Sequence, residues 1–138
     1  MKKKKRFLNI LCALAVLLSI GGFVGVANAA TIPFDVTASN VSGMTSKDPY
    51  SRKETKSDSE QKFYIKVTSL TNGPSMTFTS YNEAKERVSG GLTITSGQVG
   101  TTKSKAYSVR ALSGAKYYVY ATAPKYYGNV HAVGNYCP

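Results

Sequence analysis

Apolar side chains recur at every second position through much of this chain, a spacing that predicts extended strands rather than helices. In "FYIKVTSL" Phe63, Ile65 and Val67 share one face, and Tyr64, Lys66 and Thr68 the other. "SMTFTSY" repeats the scheme with Met76 and Phe78, and "GGLTITSG" with Leu92 and Ile94. β-Branched and aromatic residues outnumber strong helix formers in these runs, which suits half-buried antiparallel strands. "AKYYVYATA" alternates too, with Tyr117, Val119 and Ala121 against Tyr118, Tyr120 and Thr122. Both of its faces carry rings, so alternation alone does not say which is buried.

Turn signals separate the runs at Asn72-Gly73-Pro74, Gly90-Gly91, Gly97, Gly100 and Ser113-Gly114. Their spacing predicts an all-β fold, a small antiparallel β-sandwich of about six to eight strands. Two stretches depart from the pattern. "SKDPYSRKETKSDSEQK" mixes charges without a period and reads as a mobile loop or a solvent-facing edge strand, its charges a solvated face. "NEAKERVSG" has helix formers after an Asn82 cap and predicts a connector of at most about two helical turns, crossing from one sheet to the other.

The first residues follow a different rule. "MKKKKRFLNILCALAVLLSIGGFVGVANAA" has a basic start, an apolar middle and a small-residue exit, the parts of a secretory signal peptide. Gly21, Gly22 and Gly25 weaken a helix that would otherwise stay as an anchor, and cleavage is expected near Ala29. Cys12 follows Leu11 early in the apolar run, which does not fit a lipid-modified cleavage point. The expected organisation is a signal peptide over residues 1–29 and a single secreted β-sandwich domain over residues 30–138. No sorting motif or hydrophobic tail is visible, so release to the extracellular space is expected.

Processing changes the charge. With Lys2, Lys3, Lys4, Lys5 and Arg6 removed, thirteen basic residues stand against seven acidic ones, a formal +6. Such a balance favours anionic partners, a cell-wall polymer or a membrane surface. Nucleic acid is not expected as the partner of a released protein. Cys137 is the sole cysteine after the leader, so an internal disulfide is excluded; the thiol either joins two chains or is simply a terminal residue.

The region from Gly114 to Pro138 holds six of the ten tyrosines. One account is packing, with rings in the core and across neighbouring strands. The other is a ligand surface in which Tyr118, Tyr120, Tyr126 and Tyr127, beside Lys116 and Lys125, stack sugar rings or bases and hold anions. Catalysis has little to build on. His131 is the only imidazole, and six residues of extended strand would put Cys137 about 20 Å from it. One His and one late Cys are too few for zinc, and Asp48, Glu54, Asp58 and Glu60 do not follow a calcium loop. A non-enzymatic chain without cofactor or metal is therefore expected.

The leader ending "ANAA", the segment "YSRKETKSDSEQKFYIKV" and the strand "GAKYYVYA" give the chain a resemblance to small secreted β-sandwich proteins of unknown function from Gram-positive bacteria. It is also similar to secreted cationic bacteriocins of the lactococcin 972 type, which pair a leader with a β-rich mature domain. The tryptophans of that group are missing here. These resemblances imply a secreted, non-catalytic β-rich protein acting on the cell envelope or an extracellular polymer, or a bacteriocin-like or toxin-like effector.

Overall fold

A computed structural model describes residues 31–138, and the leader expected over residues 1–29 lies outside the described residues. The alternating runs become strands. β1 covers Ile32–Ala38, β2 Glu54–Thr55, β3 Lys62–Thr71, β4 Ser75–Asn82, β5 Leu92–Thr95, β6 Thr102–Ala106, β7 Lys116–Thr122 and β8 Val130–Cys137. They form two four-stranded sheets, in the orders β1-β8-β3-β6 and β2-β7-β4-β5, with every pairing antiparallel. The chain is thus the all-β sandwich that the periodicity predicts.

Each sheet turns its apolar set inward. Phe34, Val36, Phe63, Ile65, Val67 and Val130 from the first sheet meet Met76, Phe78, Ile94, Val119 and Ala121 from the second in one buried cluster. Phe34 and Phe78 pack ring to ring across the layers, their centroids 5.3 Å apart. Burying a side chain of this size contributes about 1.5–3 kcal/mol. In β7 the question left by alternation is resolved: Tyr117, Val119 and Ala121 face the core, while Tyr118, Tyr120 and Thr122 face outward.

The Asn72-Gly73-Pro74 signal does mark a corner, but the corner is not a hairpin. β3 and β4 lie in different sheets, so the turn carries the chain across the sandwich, with Asn72 at φ 62°. Among the described strands only β4 and β5 are consecutive in sequence and also paired. The edges are guarded against pairing with another molecule. β2 is two residues long, and β6 places Lys103 and Lys105 opposite the inward Ile65 and Phe63.

Two expectations need correction. "NEAKERVSG" forms no helix. Asn82 Oδ1 accepts the Glu86 N–H at 2.9 Å, the Asn82 N–H donates to the Glu86 carbonyl at 3.0 Å, and Lys85 sits at φ 65°. These local bonds close a tight turn more readily than so short a helix can nucleate. The chain then returns to its own sheet through an Arg87–Tyr81 bridge and continues into β5. The charged stretch is an edge, with β2 and bridges from Asp48 to Thr37 and from Tyr50 to Tyr120, but its charges are not all solvated. Lys56 is completely buried, its Nζ donating to Asp58 and to the Pro138 main-chain oxygen at 3.1 Å.

Candidate functional site

The outward face of β7 presents Tyr118 and Tyr120, two residues apart and therefore on the same side of the pleat. β4 runs alongside with Tyr81 directly opposite Tyr118. On the other side the chain before β2 behaves as a further edge. Ala121 N–H donates to the Pro49 carbonyl at 2.7 Å, and Ser51 N–H to the Val119 carbonyl at 2.9 Å. The Ser51 hydroxyl, buried, accepts the Val119 N–H at 2.9 Å. These bonds fix Tyr50 over the β7 tyrosines.

Four rings from three segments thus converge. Tyr50 lies 4.9 Å from Tyr120 and 5.8 Å from Tyr118, centroid to centroid, with both pairs tilted. Tyr81 stacks on Tyr118 at 5.7 Å and meets Tyr120 edge-on at 6.1 Å. They line an open cleft of about 530 Å³ together with Ser51, Lys53 and Lys85. The volume is within the range that holds a small ligand or a segment of a polymer. Burial, and then the neighbouring Tyr50 and Tyr81, push the Tyr118 phenol above its ordinary value, so it stays a neutral donor. The tight Asn82–Glu86 turn puts Lys85 into the lining, and Lys53 reaches across to Glu83 at 3.4 Å, linking the two walls.

The structure divides the residues singled out from sequence. Tyr118 and Tyr120 belong to the cleft. Lys116 shares their face of β7 but lines an adjacent depression with Asn82, Glu83 and Arg110. Lys125, Tyr126 and Tyr127 lie in the loop after β7, where Lys125 Nζ sits 4.8 Å above the Tyr126 ring and Tyr126 is 77% exposed. That loop is tied to Asn40, which accepts the Tyr126 N–H at 2.9 Å and donates to the Tyr127 carbonyl at 2.8 Å. The expected single platform is therefore two separate surfaces. Tyr50, Lys53, Tyr81 and Lys85 were not among the sequence candidates. Parity along "SMTFTSY" carries a signal for Tyr81, since Met76 and Phe78 point inward and Tyr81 falls on the opposite set.

His131 lies in β8, with Nε2 2.7 Å from Asp35 Oδ1. Cys137 ends the same strand without a fold-back, and burial, followed by the Asp58 carboxylate, pushes its thiol up. Among the described residues no group of three His, Cys, Asp or Glu side chains is placed to hold a metal. Comparison with protein-family models, with curated proteins and with solved structures found no match to this chain.

Proposed function

We propose that this protein is exported and works without catalysis as a binding module, using the tyrosine cleft on the β2-β7-β4-β5 sheet to engage a polymer of the cell envelope. The convergence of Tyr50, Tyr81, Tyr118 and Tyr120 beside two lysines carries the reading. Packing alone does not account for it, because Tyr50 keeps 53% of its surface exposed while held by main-chain bonds over its neighbours. The secretory pattern of the first residues and the formal +6 of the remainder support an anionic extracellular partner.

Cosedimentation of the purified protein with isolated cell envelopes tests this. Tyr50→Ala and Tyr120→Ala are each expected to weaken retention about tenfold, the effect of losing one stacking ring, and Tyr126→Ala to leave it unchanged. Retention that ignores both cleft substitutions would overturn the assignment.

A further inference from the structure

The chemistry of the cleft narrows the partner further. Its lining holds two lysines and no carboxylate, so a bound group carrying negative charge meets no repulsion from the walls. Glu83, the acid that reaches this rim, is paired with Lys53, and their side chains are 59% and 47% exposed. An exposed pair of this kind exchanges partners readily. The rings are set at 43°, 59° and 84° to one another except for the Tyr81–Tyr118 stack. Angled walls give a flat base no parallel slot. They do follow a puckered ring, whose C–H bonds meet the electron-rich faces of the tyrosines, while phenol hydroxyls offer partners to ring hydroxyls.

We infer that the cleft takes an anionic glycan: a sugar ring seats against Tyr50, Tyr81 and Tyr120, and the phosphate or carboxylate of the same polymer takes Lys53 from Glu83. This rests on the cleft being the polymer site, and it adds the ligand class and a charge exchange at the rim. Glu83 then acts as an internal competitor. Removing its charge frees Lys53 for the ligand.

Titration calorimetry of the purified protein separates the outcomes with hexagalacturonate, phosphomannan, neutral chitohexaose, polyphosphate and oligo(dT) as probes. One of the two charged glycans is expected to bind about tenfold tighter than chitohexaose and than either ring-free or nucleotide polyanion. Which of the two wins distinguishes carboxylate from phosphate. Glu83→Gln is expected to tighten that binding about two- to fivefold, the range of an exposed ion pair, and Lys53→Gln to weaken it. Neither substitution should alter chitohexaose binding. If chitohexaose binds as well as the charged glycans and Tyr120→Ala abolishes it, the cleft reading stands and the anionic assignment falls. If polyphosphate or oligo(dT) binds most tightly, the glycan falls. If Tyr120→Ala leaves every probe unaffected, both readings fall.

Discussion

Lys56 is the residue at which local sequence and final structure disagree most. Its ammonium is fully enclosed, 5.6 Å above the Tyr107 ring, and hydrogen-bonded to Asp58 and the Pro138 oxygen. Nothing in "KETKSDSE" sets it apart from its exposed neighbours, because the groups that meet it, Tyr107, Ala115 and Pro138, lie far along the chain. Lys56→Met should lower unfolding free energy by about 3 kcal/mol, since it strands the carboxylate of a largely buried pair. The double variant with Asp58→Ala should recover part of that loss; urea unfolding of the two variants measures it, and additive effects would contradict the coupling. Close by, burial raises the phenols of Tyr107 and Tyr136 well above the ordinary value, and Tyr136 meets the Ser80 hydroxyl at 3.2 Å. A raised folded value means the folded state holds its proton longer than the unfolded chain. Their contribution is therefore complete below about pH 10 and is lost as pH climbs above it, at about 1.4 kcal/mol per unit for each tyrosine. Tyr136→Phe should cost about 1 kcal/mol at pH 7 and flatten the alkaline decline. A difference from the parent protein that stays constant between neutral and alkaline urea titrations would contradict this.

Gly134 shows what a single strand can demand. It lies in β8 between Phe34 of β1 and Val67 of β3, where β3 shifts register around Thr68. A β-carbon there would stand 2.2 Å from the Lys66 carbonyl oxygen and 2.8 Å from Phe34 Cζ. Gly134→Ala is expected to cost about 3 kcal/mol, because the obstacle is main chain in a central strand and cannot swing aside; a thermal midpoint within a degree or two of the parent would refute it. Glycine inside a strand pattern often marks such an approach, yet only the pairing with β3 says which neighbour it spares. The same limit explains what was legible elsewhere. Period two located the inward faces of β3, β4 and β5, since each depends only on residues two apart, but it left β7 open because both of its faces carry rings. It could not place Tyr50, which has no periodic neighbours, or refuse the helix at Asn82–Gly90, where propensity lost to side-chain bonds with Glu86. Nor could it choose partners, because strand pairing here is almost wholly non-local.

Across the whole molecule the two outer faces differ. One sheet displays the tyrosine cleft, while the other carries the Asp35–His131 pair and the polar row of β3. A binding protein with one engaged face can be held by the other without blocking its cleft. The order of strands also sets how the chain reaches this state. With six of the eight described strands paired only to partners distant in sequence, few contacts form before long loops close, and folding is expected on the slower, millisecond-to-second side for its size.

That interleaving also means the molecule does not come apart where it is cut. Lys47 and Lys125 sit on exposed loops, yet hydrolysis after Lys47 leaves β1 clasped by β8, and hydrolysis after Lys125 leaves β8 clasped by β1 and β3. Trypsin acting at both sites should therefore give three fragments on a denaturing gel that still elute as one particle in gel filtration, whereas separate elution would contradict this topology. The sandwich behaves as a woven object, whose integrity resides in the crossing of its threads more than in the continuity of any one of them.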